Sequence, residues 1–210
     1  MSFIAGFQHF PGYLDRSAQV RLLAELRSAI ASAPLYVPTM PRTGKLMSVL
    51  MTNCGCLGWL SDKDGGYRYQ PTHPETGRPW PAIPDPLMAL WREFAQFPAP
   101  PEACLINYYS DTARLGSHRD QDEAEPGAPV VSVSLGDDAQ FHVGGLKRGD
   151  AKTRLMLQSG DVVVLGGAAR MAYHGVDRIY AGTSDLLREG GRINLTLRRV
   201  TKSDHVAAKQ

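Results

Sequence analysis

The sequence predicts a mainly β protein of the sandwich, jelly-roll or barrel class, and three observations support this prediction. From residue 104 onward, short segments that are rich in β-branched residues or alternate in polarity follow one another, separated by Gly, Asp or Ser. No helical pattern lies between them, which argues against a parallel sheet of βαβ units. Their regular spacing is typical of antiparallel all-β folds. The predicted strands are CLINYY, VVSVSLG, AQFHVG, TRLMLQ, DVVVLG and RINLTLRRV.

Two helices are predicted ahead of these strands. The first covers residues 15–33, with Asp15 as its predicted N-cap and apolar residues at helical spacing. The second covers residues 85–97, with Asp85 as its predicted cap and Pro86 in the first turn, where proline is well tolerated. Both helices are expected to flank the β core.

The segment between the two helices is rich in Gly, Pro and aromatic residues and carries turn signals throughout. A stretch of this length without regular structure is usually functional or forms a lid. The chain of 210 residues is expected to form a single domain, residues 1–210. Within it we expect an N-terminal helical extension over residues 1–45, a lid over 46–84 and a jelly-roll core over 104–200.

Composition places the chain among ordinary globular proteins and excludes some classes. Hydrophobic residues make up 43% of the chain, the net charge is +2, and no apolar run is long enough for a membrane helix. We therefore expect no membrane partner. The N-terminus lacks a secretory-signal pattern, and three cysteines do not suggest a disulfide framework, so a cytoplasmic location is expected. Cys54 and Cys56 have the wrong spacing for a zinc knuckle and are expected to be ordinary thiols.

Charged residues cluster locally despite the small net charge. The segments PRTGK (41–45) and GGLKRGDAKTR (144–154) are basic, whereas DQDEAE (120–125) is acidic. Either a basic rim surrounds an acidic pocket, or these are unrelated surfaces exposed to solvent.

The last predicted strand separates polar from apolar side chains. With a period of two, Ile193, Leu195 and Leu197 point one way. The opposite face carries Arg192, Asn194, Thr196 and Arg198. In a surface strand this polar face would meet water. In a barrel it could face the interior, where arginines need anionic partners, and arginine binds carboxylates in a bidentate manner.

A metal site is suggested by the segment SHRDQDE. His118 and Asp120 lie two residues apart, so in an extended segment both can reach one ion. A third ligand must come from elsewhere, and both His142 and His174 lie in or beside predicted strands. Two histidines and one carboxylate suit non-haem Fe(II), which keeps open positions for a co-substrate and oxygen, although zinc could take the same ligands.

Several segments, in this order along the chain, resemble the AlkB-type dioxygenases, which are Fe(II)- and 2-oxoglutarate-dependent enzymes that demethylate alkylated nucleobases. The resemblance spans about residues 46–199, and the first 45 residues match only loosely. It implies a double-stranded β-helix (jelly-roll) core. It also implies that the expected lid, residues 46–84, is a nucleotide-recognition lid. The matching segments are MTNCGCLGW, YRYQP, PWPAIP, ACLINYY, SHRDQDE, PVVSVSLG, FHVGGLKR, GDVVVLGG, YHG and RINLTLRR.

The resemblance implies roles for particular residues. The iron ligands, and with them the catalytic centre, would be His118, Asp120 and His174. The contacts to 2-oxoglutarate would be Asn107, Tyr109, Arg192, Asn194 and Arg198. The base pocket would contain Trp59, Tyr67, Asp122 and Arg148. Tyr69 would be a weaker neighbour that contacts phosphate or 2-oxoglutarate, and Met51 would pack against the pocket wall or simply fill the core.

The function implied by the resemblance is oxidative demethylation of bases such as 1-methyladenine and 3-methylcytosine. The substrate would be DNA, preferably single-stranded, or RNA, and the cofactors would be Fe(II), 2-oxoglutarate and O2. The alternative is a 2-oxoglutarate-dependent hydroxylase of tRNA, protein or a small molecule. A third hypothesis, a jelly roll that only binds, is disfavoured because every expected ligand is present. We expect a monomer.

Four positions depart from the pattern of the best-known members of that family. Arg119 stands between two of the implied iron ligands, where glutamine is familiar, and Arg114 replaces a lysine. Gly116 stands where serine is familiar, and Leu165 where an aromatic residue is common. These departures are expected to affect substrate preference and rate rather than the type of reaction.

Overall fold

Two antiparallel sheets pack against each other in the computed structural model, which describes residues 3–203. The helices are α1 (Arg16–Ser32) and α2 (Asp85–Phe94). The strands are β1 (Phe7–Phe10), β2 (Val49–Gly55), β3 (Gly58–Asp62), β4 (Gly66–Gln70), β5 (Ala103–Tyr109), β6 (Leu115–His118), β7 (Val130–Gly136), β8 (Asp138–Val143), β9 (Thr153–Leu157), β10 (Val162–Leu165), β11 (His174–Tyr180) and β12 (Arg192–Arg198).

The strand order is that of a jelly roll, so the predicted fold class is confirmed. The larger sheet has six strands in the order β1-β10-β7-β12-β5-β2, and the smaller has four in the order β6-β11-β8-β9. The strands β3 and β4 form a separate hairpin. Within residues 3–203, neither helix is long and apolar enough to span a bilayer.

All six strands predicted after residue 104 are present, but other strands were missed. Short strands such as β1 and β6 have only four residues, too few to show a period. Strand β2 is buried on both faces, so its sequence does not alternate between polar and apolar residues. Strand β11 begins at His174 and contains a bulge, which disrupts a simple pattern.

The expected domain boundaries need two corrections. The N-terminal segment 1–45 is not purely helical, because β1 pairs with β10 at one edge of the larger sheet. The expected lid 46–84 contains β2, which pairs with β5 at the other edge of the same sheet. The part that stands outside the two large sheets is therefore narrower and centres on the β3–β4 hairpin.

The two helices differ in their N-terminal caps. Asp15 caps α1 as predicted, because its side chain accepts a hydrogen bond from the Ala18 backbone N–H. The prediction that Asp85 caps α2 was wrong: Asp85 is the first helical residue, and Pro84 occupies the cap position without a side-chain bond. The helix ends earlier than predicted, ahead of Gln96, whose φ of 47° lies in the left-handed region.

Both faces of β12 are buried, and they serve different purposes. Ile193, Leu195 and Leu197 belong to the apolar core that also contains the buried leucines of α1 and α2. The opposite face, which could have met water, lines a cavity between the sheets instead. Its residues are Arg192, Asn194, Thr196 and Arg198. One strand therefore contributes to both the core and the cavity.

The loop that follows β6 is attached to the core by the buried Arg170, which lies in a 3₁₀ turn at Gly167–Met171. Its guanidinium donates to the backbone carbonyl of Asp120 at 2.7 Å and to that of Ala128 at 2.9 Å. It also forms an ion pair with the buried carboxylate of Glu123 at 3.0 Å. These bonds attach the 120–128 segment to the 3₁₀ turn at both of its ends and at Glu123.

Replacing Arg170 with Met is expected to lower the free energy of unfolding by about 3 kcal/mol, because Glu123 would keep a buried charge without this partner. Adding Glu123→Gln to the same chain should recover part of the loss. Urea denaturation followed by tryptophan fluorescence measures both effects. The exposed Arg178→Met serves as the control, with an expected change below about 0.5 kcal/mol. An Arg170→Met protein as stable as the control would contradict the prediction.

Candidate active site

A cavity of about 540 Å³ lies between the two sheets and the β3–β4 hairpin. Residues of both sheets and of the hairpin line it, including the polar face of β12. The basic segments 41–45 and 144–154 contribute Lys45 and Arg148 to its wall, and the acidic segment contributes Asp120 and Asp122. The arrangement with a basic rim and acidic groups in one pocket is therefore the one observed.

Three residues that are distant in sequence meet in this cavity as a candidate metal site. His118 ends β6, Asp120 follows it, and His174 begins β11. Strands β6 and β11 pair so that His174 lies directly opposite His118, with ring centroids 4.5 Å apart. One potential ligand atom from each of the three residues lies within 4.8 Å of the others. The expected grouping of these residues is thus present.

The two imidazoles are oriented by backbone carbonyls. Nδ1 of His118 lies 2.9 Å from the carbonyl oxygen of Gly116, and Nδ1 of His174 lies 3.0 Å from that of Ala172. A contact with a carbonyl oxygen requires the proton on Nδ1, which leaves Nε2 of each ring as a free acceptor. Metal-binding histidines are commonly oriented in this way.

The protonation states of the site also suit a metal ion. Burial by itself would raise the pKa of Asp120, but Arg198 and the two histidines hold that pKa well below its usual range. Burial lowers the pKa of His174 to about 4, and the nearby His118 acts in the same direction. At neutral pH the carboxylate is therefore charged and the His174 imidazole neutral, which are the forms that bind metals.

His142, the other histidine considered as a third ligand, lies on the opposite face of β8 from the cavity. Its Nδ1 is 2.8 Å from the carboxylate of Asp177, and the ring is buried. Its neighbour in β8, Phe141, points into the cavity and packs against His174 with a centroid separation of 5.9 Å. The alternation along β8 therefore excludes His142 from the candidate metal site.

Arg192 brings unpaired buried donors to the cavity. Its side chain is 1% exposed, and Nη2 donates to Ser134 at 2.6 Å. Among residues 3–203, Nε and Nη1 have no hydrogen-bond partner, and neither does the buried carbonyl oxygen of the Asn107 side chain. Burial lowers the pKa of Arg192 to about 10, so the guanidinium stays charged at neutral pH. A buried cation with two free donors needs an anionic partner, and a carboxylate fits it.

Arg198, the second arginine of β12, is engaged with the candidate metal ligand. Its Nη2 lies 2.9 Å from one carboxylate oxygen of Asp120 and its Nε 3.3 Å from the other. Asn194 donates to Ser132 at 2.8 Å, and Tyr109 is buried in the cavity wall. All five residues expected to contact 2-oxoglutarate therefore line the cavity, although the donors of Arg198 already have a partner.

The β3–β4 hairpin places aromatic rings at the cavity. Trp59 and Tyr67 stack with their centroids 5.6 Å apart and their planes at 22°. The indole N–H of Trp59 donates to Asp122 at 2.8 Å, which connects the hairpin to the loop after Asp120. Met51 lines the cavity and also belongs to the core between the sheets. It therefore packs at the pocket wall and fills the core, which were the two roles considered for it.

Tyr69 lies apart from the other residues expected in the base pocket. Its hydroxyl donates to the buried carboxylate of Glu123, and the residue is not part of the cavity wall. This placement does not support the expected contact with phosphate or 2-oxoglutarate. The residue instead fastens the hairpin to the segment that Arg170 holds.

Several residues around the site escaped the sequence analysis. Glu123 lies in the acidic run that was noted, but nothing in the sequence distinguishes it as buried. Tyr173 directly precedes His174 and lies beneath the guanidiniums of Arg119 and Arg148. The four positions that depart from the AlkB pattern all line the cavity: Arg114, Gly116, Arg119 and Leu165.

Comparison with known proteins agrees with this geometry. A family model described as the 2OG-Fe(II) oxygenase superfamily matches residues 6–198. An alpha-ketoglutarate-dependent dioxygenase AlkB homolog of Caulobacter vibrioides is 51% identical over 199 residues, covering 95% of this chain and 90% of the relative. The alpha-ketoglutarate-dependent dioxygenase AlkB of Escherichia coli is 43% identical, covering 90% of this chain and 88% of the relative.

A solved structure described as that of OsALKBH1 superposes with a TM-score of 0.78 at 30% sequence identity. The superposition covers 95% of this chain and 100% of that one. The three candidate ligands fit Fe(II), and the unpaired donors of Arg192 fit the carboxylate of 2-oxoglutarate. The chain therefore belongs to the 2OG-Fe(II) oxygenase superfamily and, within it, to the AlkB family of alpha-ketoglutarate-dependent dioxygenases.

Proposed function

We propose that this dioxygenase removes methyl groups from N-alkylated nucleobases, such as 1-methyladenine and 3-methylcytosine, in DNA that is preferably single-stranded. One observation carries the proposal: the candidate iron ligands and the Trp59–Asp122 pair line the same cavity. The cavity thus combines a candidate oxidising centre with a flat ring and a carboxylate, which together suit a cationic base.

In this proposal His118, Asp120 and His174 hold Fe(II), and Arg192 binds the far carboxylate of 2-oxoglutarate. Asn107, Tyr109 and Asn194 complete the polar wall around the co-substrate. Arg198 keeps Asp120 charged and oriented. Because Arg198 also lines the cavity, we retain it among the proposed contacts to 2-oxoglutarate.

The chemistry of the bound groups explains why the base must enter the cavity. Iron with 2-oxoglutarate and O2 supplies the oxidation: one oxygen atom ends in succinate as CO2 leaves, and the other hydroxylates the N-methyl group. The hydroxymethyl group then leaves the nitrogen as formaldehyde, and the nitrogen regains the form it has in the unmethylated base. The protein's part is to hold the methyl group near the metal and to exclude water.

Trp59 and Asp122 would recognise the base itself. A base inside a duplex cannot reach the metal, so it has to leave the stack, which costs least in a single strand. The Trp59 ring offers a stacking surface worth about 1–3 kcal/mol per base, and His118 lines the cavity as the second ring. The indole N–H holds one oxygen of Asp122, so the other can accept from the exocyclic amine and complement the positive charge of the methylated base.

The proposal also covers the oligomeric state of the protein, its location in the cell and the charge of its substrate. We propose a monomer, because every residue of the site belongs to one chain. Cys54, Cys56 and Cys104 are free thiols, which supports a reducing compartment and hence the cytoplasm. Lys45, Arg114 and the other arginines of the cavity wall favour a polyanionic substrate.

The direct test is formaldehyde release from a single-stranded oligonucleotide that carries 1-methyladenine or 3-methylcytosine, with Fe(II) and 2-oxoglutarate present. Asp120→Ala and the isosteric Asp120→Asn are both expected to lower turnover by at least about 100-fold, since even partners of metal ligands cost up to that much. The exposed Asp185→Ala is the matched control. Wild-type protein that consumes 2-oxoglutarate but releases no formaldehyde from either substrate would refute demethylation of these bases.

Replacing Arg192 with Met should raise the 2-oxoglutarate concentration needed for half-maximal turnover by about 10- to 100-fold. The reason is that a charge-assisted bond to the carboxylate contributes about 1.5–3 kcal/mol. Steady-state kinetics with varied 2-oxoglutarate measure this, with Arg178→Met as the control outside the cavity. An unchanged dependence on 2-oxoglutarate would mean that the co-substrate binds elsewhere.

Trp59→Ala should raise the KM for the methylated oligonucleotide by about tenfold or more, because one stacking surface is lost. Trp59→Phe keeps a ring and should lose much less. The uncoupled decarboxylation of 2-oxoglutarate without a nucleic acid provides the comparison. If Trp59→Ala lowers both activities equally, the residue supports the fold rather than the substrate.

A further inference from the structure

His142 is a buried polar residue that has no part in the proposed reaction. Its neighbour Phe141 lines the cavity, so His142 points to the outer face of the smaller sheet. On that face Asp138 and Gln140 are half-buried, whereas His142 is 2% exposed. Its Nε2 atom has no hydrogen-bond partner in the described part of the chain. A buried nitrogen without a partner is costly, so this position requires an explanation.

The other ring nitrogen of His142 is bound to a carboxylate. Its Nδ1 donates to one oxygen of Asp177 at 2.8 Å, because an ionised carboxylate only accepts. The second oxygen of Asp177 accepts from Nε of Arg154 at 3.0 Å. Arg154 of β9 lies directly opposite His142 of β8. The carboxylate from β11 thus bonds to side chains of two further strands and fixes the orientation of the imidazole.

Asp177 is the extra residue of a β-bulge in β11. The consecutive residues Phe141 and Gln140 of β8 pair with Val176 and Arg178, so Asp177 has no counterpart in β8. A bulge bends its strand and redirects nearby side chains, and bulges are frequent beside active sites. This bulge follows the ligand histidine that begins β11. The bond from His142 therefore holds an irregular part of a strand that carries a proposed iron ligand.

A second bulge lies in β6, on the other side of β11. The two strands pair at their ligand histidines and again at Val176 and Leu115, so β6 has one residue more than β11 between these pairs. Gly175 is the residue of β11 that faces this bulge. In β8 the partner of Gly175 is His142. Both bulges therefore adjoin the same histidine.

The imidazole of His142 occupies space that Gly175 leaves free. A Cβ atom at this glycine would lie 2.9 Å from Cε1 of the ring. It would also lie 2.6 Å from the carbonyl oxygen of Leu115 and 3.0 Å from that of Gly116. The ring and two carbonyls of β6 therefore surround one small space. The carbonyl of Gly116 is also the one that orients the ring of His118.

The strands that meet at this space carry two of the three proposed iron ligands. His118 ends β6, and His174 begins β11. Strand β6 is an edge strand, and within residues 3–203 only β11 pairs with it in the smaller sheet. The bulge interrupts the ladder between these two strands just beside the ligands. Packing from His142 can therefore set a separation that the interrupted ladder leaves less constrained.

We propose that His142 is a positioning residue for the metal centre. Held by Asp177, its ring fills the space beside Gly175 and keeps β6 and β11 at the separation at which His118 and His174 bind one Fe(II). This role rests on the ligand set of the proposed function. His142 does not line the cavity, so it acts on the metal through the backbone of the two ligand strands.

The experiment measures metal binding without catalysis. Co(II) accepts the same nitrogen and oxygen ligands, and titration of the metal-free, full-length protein in competition with a chromophoric chelator gives its Kd. His142→Leu should raise this Kd about tenfold or more, as for other residues that orient metal ligands. His142→Asn keeps an N–H for Asp177 near the position of Nδ1 and should recover most of the affinity. The visible absorption of bound Co(II), which reports the ligand geometry, should change in His142→Leu.

His73 provides a matched control for a buried histidine. Its Nε2 lies 2.8 Å from the carbonyl oxygen of Pro34, and the residue does not line the cavity. His73→Leu should lower the melting temperature and leave the Kd and the absorption of Co(II) unchanged. A wild-type Kd in His142→Leu would overturn the positioning role, whatever its melting temperature. An equal loss of affinity in both variants would overturn it as well, because general destabilisation would then explain the effect.

Asp177→Ala tests the same pair without replacing the buried ring, and the side chain it removes is 31% exposed. This variant should also weaken Co(II) binding, and it decides alone if His142→Leu does not fold. Adding it to His142→Leu should cause no further loss, because the two residues act together. Losses that multiply in the double variant would refute the pair.

Asp120→Ala, measured in parallel, tests the ligand set itself. A strong loss of Co(II) binding in this variant, with no change in His142→Leu and Asp177→Ala, rejects the positioning role and leaves the proposed ligands in place. A wild-type Kd in Asp120→Ala contradicts the ligand set, and the positioning role is then rejected with it. The two failures are therefore distinguishable.

Discussion

The buried ion pair between Arg198 and Asp120 is the interaction on which the site depends. Burial opposes the charge on Asp120, and the nearby guanidinium keeps that carboxylate ionised and fixed in direction. Arg198 in turn lies 3.5 Å from Glu123, which Arg170 also pairs with, so the acids and bases behind the candidate metal site form one network. Removing any one member would leave a buried charge with fewer partners, which is costly in the protein interior.

The same network links the hairpin to the metal site. Tyr69 of β4 donates to Glu123, and Trp59 of β3 donates to Asp122, so two bonds from the hairpin end on the segment that follows Asp120. Since Arg170 fixes that segment from the other side, the aromatic rings and the candidate iron ligands keep a defined relation. The proposed base pocket is therefore held by the core rather than by the hairpin alone.

Strand β12 contributes both to the apolar core and to the wall of the binding cavity. Its apolar side chains complete the core against the helices, and its polar side chains line the cavity. The alternation of a β-strand makes this division possible, because neighbouring residues point to opposite faces. Burial on both sides makes Arg192 a strong binding group, since its free donors cannot be satisfied by bulk water.

The sequence by itself determined six of the strands of the two sheets, the two faces of β12, the Asp15 cap and the residue types of the candidate site, because these follow from periodicity and local chemistry. Only the tertiary structure decided that His174, not His142, faces His118, because strand pairing and side-chain alternation set that choice. It also decided the burial of Arg170 and Glu123 and the placement of Arg119 and Arg148 against the ring of Tyr173. Such contacts join segments far apart in the chain, and no local pattern encodes them.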